Sequence, residues 1–303
     1  MLNVMFLKRR RMRRRKDSCH HYQLVWTFVI MMTHLPVDGQ YNCPNRMLIR
    51  PCTCTEKSIG LDVTCKGANS HQLREAIENV QQTRQTVWYL KLTNNRLPKL
   101  PGLLLADVDV KNILLLGCNT SNIDKLAFTG LGDKLETLDL SKNLLQQVPS
   151  GALETLGSLT SLNLNYNRIE SIHASAFRGL ISLLRLYLYG NKIKFIDNLA
   201  FLGIGENLTR LNLGNNGLTS IPSQSLQNLT ILRRFQVPQN QITIILPEEF
   251  KAVGVHLDTL DLAQNLLQEL PDRAFEFLPT LSSLDLEGNR ISYIHPEAFK
   301  GLE

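Results

Sequence analysis

The 303-residue sequence lacks any apolar run long enough to cross a bilayer. Residues 24–32 form a run of nine mostly apolar residues, whereas a membrane-spanning helix needs about 20. Hydrophobic residues nevertheless make up 43% of the chain and charged residues 20%, a balance that excludes a disordered chain and a bundle of membrane helices. The length fits one or two ordinary domains, or one repeat array.

The sequence also lacks a net charge outside its N-terminal segment. Residues 8–16 hold eight of the 33 basic residues, and residues 1–39 hold only two of the 27 acidic residues. The rest of the chain therefore carries equal numbers of basic and acidic side chains. The formal net charge of +6 is thus no argument for a nucleic-acid-binding domain.

No catalytic or metal-binding motif is present. GxSxG, P-loop, HExxH and glycine-rich dinucleotide motifs are all missing, and the acidic residues are too scattered to name an acid–base pair. The four cysteines between 43 and 65 form no CxxC motif and have no pair of histidines nearby, which disfavours a metal site. We therefore expect no enzymatic activity, no catalytic residues, no metal and no cofactor.

The N-terminal segment has the order of parts that a secretory signal has. The basic stretch 8–16 precedes the apolar stretch 24–32, and the Val-Asp-Gly sequence at 37–39 offers small side chains where signal peptidase requires them. We predict a signal peptide at residues 1–39, cleaved after Gly39. A nuclear localisation run and a later start methionine are the alternatives.

One short sequence pattern repeats through the rest of the chain. Residues 138–145, 162–169 and 284–291 read LDLSKNLL, LNLNYNRI and LDLEGNRI. The Asn recurs at nearly constant intervals, with one Cys in the series: Asn95, Cys118, Asn143, Asn167, Asn191, Asn216, Asn240, Asn265 and Asn289. Such a period predicts a solenoid in which each repeat stacks on the next.

The alternating leucines of each repeat predict a short strand with both leucines on one face. Neighbouring strands would form a parallel sheet over a leucine core, and the Asn would turn inward to bond backbone groups of the bend. A second apolar series follows ten residues after each Asn or Cys and should fill a wider, convex side: Leu105, Phe128, Leu153, Phe177, Phe201, Leu226, Phe250, Phe275 and Phe299.

These residues resemble the leucine-rich repeat, L-x-x-L-x-L-x-x-N/C-x-L, in its extracellular 24-residue form. The resemblance covers residues 87–302 and implies an α/β repeat solenoid, a curved array with a parallel concave β-sheet and an irregular or short-helical convex side. We predict about nine repeats at 87–303 without a C-terminal cap. A short helical connector is predicted at 67–86, where Leu73, Ile77 and Val80 have helical spacing.

Four cysteines precede the first repeat in the pattern C-x8-C-x-C-x10-C. Four cysteines permit three pairings. The pattern resembles the N-terminal cap of extracellular leucine-rich proteins, and this resemblance implies a cap at residues 40–66 with the pairs Cys43–Cys54 and Cys52–Cys65. Such bridges need an oxidising compartment. We expect Cys118 to remain free.

The sheet face that points away from the leucines is the surface left for binding. Arg185, Arg210 and Arg234 fall on consecutive predicted strands, roughly 5 Å apart, where like charges cost stability. Arg and Tyr are the residue types enriched in interface hot spots. The candidate residues of this concave binding face are Tyr89, Arg185, Tyr187, Tyr189, Arg210, Asn212, Arg234, Gln236, Asp261 and Asp285. The alternative is a solvated face whose charges have no function.

Three N-glycosylation sequons begin at Asn119, Asn207 and Asn228. None of them uses a repeat Asn, so each could carry a glycan without disturbing the core.

We therefore expect a secreted or extracellular glycoprotein, the cell surface included, that binds a protein ligand on its concave face for adhesion, recognition or matrix assembly. An acidic ligand is among the options. The alternative function is a non-catalytic stabilising subunit of a secreted enzyme complex, and a third is an intracellular scaffold with a basic tail. We expect no nucleic-acid partner, and membrane association only if sequence beyond Glu303 supplies an anchor.

Overall fold

A computed structural model describes residues 41–302. The signal peptide predicted at 1–39 lies outside these residues. The strands are, in chain order, β1 (Thr53–Lys57), β2 (Gly60–Lys66), β3 (Val87–Thr93), β4 (Lys99–Leu100), β5 (Val110–Leu116), β6 (Asn122–Ile123), β7 (Thr137–Asp139), β8 (Ser161–Asn163), β9 (Ser171–Ile172), β10 (Arg185–Tyr187), β11 (Phe195–Ile196), β12 (Arg210–Asn212), β13 (Arg234–Gln236), β14 (Thr259–Asp261), β15 (Glu269–Leu270), β16 (Ser283–Asp285) and β17 (Tyr293–Ile294). The helices are α1 (Ser70–Gln82), α2 (Ser150–Leu153) and α3 (Ser223–Leu226), with 3₁₀ turns at Pro247–Phe250 and Gly254–His256.

Eleven strands form one continuous sheet in the order β1-β2-β3-β5-β7-β8-β10-β12-β13-β14-β16. The first pair is an antiparallel hairpin, and every later pair is parallel. The remaining short strands pair as β4 with β6, β9 with β11 and β15 with β17. Because the repeat length is nearly constant, equivalent residues of successive repeats are aligned in the sheet, and Leu186 pairs with Leu162 on one side and Leu211 on the other. The predicted α/β repeat solenoid is confirmed.

The repeat Asn residues join each repeat to the one before it. Asn167 is buried, and its Nδ2 donates to the carbonyl oxygens of Leu140 and Leu164 at 3.0 and 3.1 Å. Its Oδ1 accepts from the backbone N–H of Leu145 at 3.1 Å. Leu140 and Leu145 belong to the preceding repeat, so one side chain satisfies backbone groups of two repeats. Equivalent bonds recur at Asn143, Asn191, Asn240 and Asn265.

Cys118 fills the one gap in this Asn series. Its thiol donates to the carbonyl oxygen of Leu92 at 3.2 Å, and its own N–H donates to Oδ1 of Asn143 at 3.0 Å. Cys118 is a buried free cysteine, and burial raises the pKa of its thiol. The thiol therefore replaces only part of what an Asn amide would bond.

The residue before each repeat Asn or Cys adopts a left-handed backbone conformation. The φ angles at these nine positions lie between 49° and 70°, and six of the nine residues are not glycine. This conformation is costly for residues that carry a Cβ. It turns the chain at the end of the strand so that the following Asn points into the core.

The second apolar series packs on the side opposite the sheet. Its members are buried from Leu105 to Phe275, whereas Phe299 is 44% exposed. Phe177 and Phe201 are stacked with centroids 5.9 Å apart, as are Phe275 and Phe299. Phe299 belongs to the last described repeat, and no described residue stacks on its far side.

The cysteine-rich segment packs directly against the first repeat. Cys43 is bonded to Cys54 and Cys52 to Cys65, which is the pairing that the family resemblance implies. Helix α1 lies within the predicted connector and begins at a capping box in which Oδ1 of Asn69 accepts backbone N–H bonds. Its buried residues Leu73, Ala76, Ile77 and Val80 face the core. Asn95 links the first repeat to the cap by a hydrogen bond, in which its Nδ2 donates to the carbonyl oxygen of Cys65 at 3.0 Å.

Candidate functional site

The surface of the 11-stranded sheet that points away from the leucine core is the predicted concave binding face. We call it the outward face. The register aligns Arg185 with Arg210 and Arg210 with Arg234. These three side chains form a row, the arginine stripe, across β10, β12 and β13. Tyr187, Asn212 and Gln236 form the adjacent row on the same strands.

The arginine stripe is mostly unpaired. The Nε of Arg234 lies 3.9 Å from Oδ1 of Asp258, which is beyond hydrogen-bond distance. Within residues 41–302, no carboxylate lies within 4.0 Å of the guanidinium of Arg185 or Arg210. Two neighbouring positive charges on a central part of the face are therefore available to a ligand, at some cost in repulsion.

A chain of polar and aromatic side chains runs beside the stripe. The hydroxyl of Tyr189 donates to Oε1 of Gln239 at 2.5 Å, and Nε2 of Gln239 donates to Oε1 of Gln264 at 2.8 Å. The ring of Tyr166 meets that of Tyr189 edge to face, with centroids 5.5 Å apart. We call Tyr166, Tyr189, Gln239 and Gln264 the tyrosine–glutamine chain.

Two glycines make room for these tyrosine rings. A Cβ at Gly190 would lie 2.7 Å from Cδ1 of Tyr166, and a Cβ at Gly214 would lie 2.8 Å from Cδ2 of Tyr189. Each ring therefore extends over the glycine of the neighbouring repeat. This close approach holds the rings in one place and presents their remaining faces to solvent.

The tyrosine–glutamine chain was only partly predicted from the sequence. Tyr189 was a candidate, whereas Tyr166, Gln239 and Gln264 occupy the left-handed position just before a repeat Asn. These three residues lie outside the columns predicted from the sequence, which comprise the outward residues between the leucines. Listing the residue before each repeat Asn as a further row would have found all three.

The sheet face becomes acidic toward β16. Asp261 is aligned with Asp285, and Glu287 follows two residues later. Burial raises the pKa of Asp261, and the charge of Asp285 raises it further, although a hydrogen bond from the N–H of Ala263 acts the other way. Oδ1 of Asp261 accepts that bond at 3.1 Å. The face thus has a positive centre and a negative end.

Replacing Asp261 with Asn should raise the free energy of unfolding at pH 7 by up to about 1 kcal/mol, because directly opposed like charges are destabilising by that order. Since folding raises the pKa of Asp261, the carboxyl favours the fold when protonated, and that stability is lost as the pH rises through the raised pKa. The gain from Asn should therefore vanish below the ordinary pKa of 3.8. Urea unfolding at pH 7 and pH 3 measures both values.

Asp139 provides a matched control for this prediction. It occupies the same row and accepts the N–H of Ser141 in the same kind of turn at 2.8 Å. Its second oxygen accepts a bond from Asn163 at 2.9 Å instead of facing another carboxylate. Asp139→Asn should therefore be neutral or destabilising at pH 7, and an equal gain at both positions would contradict the proposed repulsion. Both variants are produced without N-glycosylation, because the change at Asp139 completes a sequon with Ser141.

Tyr89 does not join the central group. It lies on β3, and strands β5, β7 and β8 separate it from β10. The Nζ of Lys91 sits 4.7 Å from its ring centroid and 3.3 Å from Oδ2 of Asp62. Asp261 and Asp285 are likewise outside the arginine stripe, on β14 and β16. Seven of the ten candidates thus lie on or just after β10, β12 and β13: Arg185, Tyr187, Tyr189, Arg210, Asn212, Arg234 and Gln236. Asp261 adjoins this group, because it is aligned with Gln236 on the neighbouring strand.

The asparagines of the three sequons differ in their exposure to solvent. Asn119 and Asn207 are exposed, whereas Asn228 is half-buried. Asn119 directly follows Cys118 and has a φ of 56°. Asn207 and Asn228 line one groove away from the outward face.

In residues 41–302, no group of three or more His, Cys, Asp or Glu side chains is placed to hold a metal ion. None of the helices in the same range is long and apolar enough to cross a membrane.

The repeated strand, the inward Asn and the broad parallel sheet define a repeat solenoid that presents one extended face. The leucine-rich repeat model matches residues 109–169, 157–205, 206–253 and 255–303, which together are more than half of the chain. The protein belongs to the leucine-rich repeat family.

Curated relatives match part of the chain. Leucine-rich repeat-containing protein 3B of Bos taurus, Mus musculus and Homo sapiens is 34% identical over 134 residues, which are 44% of this chain and 46% of the relative. Leucine-rich repeat-containing protein 3 of Danio rerio is 38% identical over 138 residues, or 45% of this chain and 47% of the relative. The chain thus spans about half the length of the curated relatives it matches.

Solved structures share the solenoid over a longer stretch. A chain from the octameric complex of Latrophilin 3, Unc5D and the leucine-rich repeats of FLRT2 matches with a TM-score of 0.62 and 26% identity, over 75% of this chain and 68% of that chain. The Toll–Spatzle complex of Drosophila has a TM-score of 0.62 at 19% identity, over 79% of this chain and 34% of that chain. The TLR13–ssRNA13 complex has a TM-score of 0.61 at 22% identity, over 75% and 32%. The last two show the fold alone.

Proposed function

We propose that this protein is secreted or displayed at the cell surface, and that it binds a protein partner through the arginine stripe and the adjacent tyrosines without catalysing a reaction. The observation that carries this proposal is the alignment of Arg185 with Arg210 beside Tyr187 and Tyr189. No carboxylate among residues 41–302 pairs with either guanidinium group.

An acidic protein segment is the partner that this geometry suits. Carboxylates would relieve the repulsion along the stripe and accept charge-assisted hydrogen bonds from the guanidinium groups. The tyrosines add large apolar contact area with a polar hydroxyl end. Because Tyr189 is already held by Gln239, it loses little conformational entropy when a partner covers it.

The proposed location has separate support. Two disulfides in a small cap are typical of proteins that fold in an oxidising compartment. The similarity to a complex that contains the leucine-rich repeats of FLRT2 supports a role in protein complexes. The signal peptide predicted at residues 1–39 would direct the chain to that compartment.

Replacing Arg185, Arg210 and Arg234 with Gln should weaken partner binding by at least about tenfold, which corresponds to about 1.4 kcal/mol. The same variant should keep or slightly raise its stability, because the row of like charges is removed. Binding by the parent should also weaken with added salt, since exposed charges are screened over about 8 Å at physiological ionic strength. A pull-down from extracellular material at low and moderate salt, with a thermal melt of each variant, measures all three effects.

The matched control replaces Arg74, Arg168 and Arg290 with Gln. These arginines are exposed and lie outside the arginine stripe. Because three arginines are replaced in each variant, the change in net charge is the same. The control should bind as the parent does. Equal recovery of every partner by the stripe variant would overturn the proposed face, and an enzymatic activity that purifies with the protein would favour the subunit function instead.

A further inference from the structure

A shallow groove crosses the side of the solenoid, away from the outward face. Its volume is about 720 Å³, and its lining includes Ile181, Leu202, Gly203, Gly205 and Asn207. Ile181 is 63% exposed and Leu202 is 46% exposed. These two side chains form a small apolar surface that a covering group would remove from water.

Asn207 stands at the wall of this groove and starts the sequon Asn207-Leu-Thr. Its side chain is exposed, and its Nδ2 donates to the carbonyl oxygen of Ile181 at 2.7 Å. Attachment of a sugar replaces one of the two hydrogens on Nδ2, and the other can keep this bond. A glycan on Asn207 would therefore begin within hydrogen-bond distance of the Ile181 backbone.

Gly203 borders the open space of the groove, and Gly205 brings two repeats close together at its floor. A Cβ at Gly203 would meet no atom within 4 Å, so that position borders open space. A Cβ at Gly205 would lie 1.7 Å from the carbonyl oxygen of Asn228, so only glycine permits this close approach of two repeats. The result is a groove with an apolar wall, a backbone floor and an attachment atom at its edge.

We propose that Asn207 carries an N-linked glycan whose first sugar rings pack against Ile181 and Leu202 and fill this groove. The C–H faces of a pyranose ring are apolar and cover the two side chains, while its hydroxyl groups remain in water. This inference rests on the secretory location in the proposed function, and it is independent of what the outward face binds. Asn228 lines the same groove but is half-buried, and it is not the attachment point that fills the groove.

The first test is glycopeptide mass spectrometry of the protein secreted from eukaryotic cells. Occupancy at Asn207 supports the inference. Occupancy at Asn119 or Asn228 but not at Asn207 overturns the inference and leaves the secretory location intact. If none of the three sites is modified in the secreted protein, the inference is overturned and the secretory location stands, whereas a chain that stays in the cytosol overturns the secretory location.

The second test asks what the glycan covers. Asn207→Gln and Thr209→Ala each remove the sequon by a different change, and Thr209→Ser keeps it. The two variants without the sequon should bind more of the apolar dye ANS than Thr209→Ser. Their melting temperatures should fall by more than they do in protein made without glycans, where only the hydrogen bond of Asn207 or Thr209 is lost. Thr230→Ala, which removes the neighbouring sequon, should change neither value.

Adding Ile181→Ser to Asn207→Gln should abolish the extra dye binding. Dye binding and melting that do not change on loss of the Asn207 sequon would overturn the packing of the glycan in this groove.

Discussion

Replacing Asn167 with Ala should lower the free energy of unfolding by about 1–3 kcal/mol, because the buried N–H of Leu145 is left without its acceptor. The change also removes one donor to each of the carbonyl oxygens of Leu140 and Leu164, which keep the Nδ2 donors of Asn143 and Asn191. Two of these groups belong to the preceding repeat, so the loss weakens both the turn and the contact between repeats. Urea unfolding followed by circular dichroism measures the change.

Asn198→Ala is the control for this substitution. Asn198 is exposed, and the same side chain is removed from a position outside the Asn series. It should change the free energy of unfolding by no more than about 0.5 kcal/mol, as surface substitutions usually do. If the Asn167 variant unfolded at the same urea concentration as the parent and the control, the role assigned to the repeat Asn would be wrong.

Replacing both Cys52 and Cys65 with Ala should lower the free energy of unfolding by about 3 kcal/mol, the effect typical of opening a loop of roughly 15 residues. The two sulfur atoms are also part of the core, since Cys65 is fully buried and Cys52 nearly so. Cys65 lies on β2, which pairs with the first repeat strand β3. Removing this disulfide should therefore destabilise the pairing of β2 with β3 as well as the cap. A thermal melt of the parent and the double variant measures the loss.

The other disulfide is the matched comparison. Cys43 and Cys54 are 11 residues apart, against 13 for Cys52 and Cys65, so the entropy of loop closure is nearly equal. Cys43 and Cys54 are only partly buried. Replacing them with Ala should therefore cost less than replacing Cys52 and Cys65, since a smaller cavity is left. Equal melting of the parent and both double variants would show that the cap does not hold the array together.

The repeat phase was predictable from the sequence to the single residue. The nearly constant spacing of the Asn series maps each position onto the next strand, so the alignment of Arg185, Arg210 and Arg234 followed from counting. The alignment in the sheet confirms it. The apolar series was predicted in the same way, and it is buried except at Phe299.

Side-chain contacts between non-equivalent positions of different repeats were not predictable from the sequence. Tyr189 bonds Gln239, which is 50 residues and two repeats away, because its ring extends over Gly214 and the hydroxyl reaches past the next repeat. Asp258 approaches Arg234 from the position before a strand, where the sequence pattern does not say which way a side chain points. Such contacts depend on rotamers and on the turn between strands.

The sequence by itself determined the repeat array, the inward Asn series, the leucine core and the rows of the outward face, because a nearly constant repeat length converts spacing along the chain into stacking in space. Only the tertiary structure decided which members of those rows act together. It separated Tyr89 from the arginine stripe, joined Tyr166 and Tyr189 to two glutamines, and placed Asn207 against Ile181. The physical reason is that the nearly constant repeat length fixes where each Cα lies in the stack. The partners of a side chain depend instead on packing, hydrogen bonding and charge among neighbouring repeats.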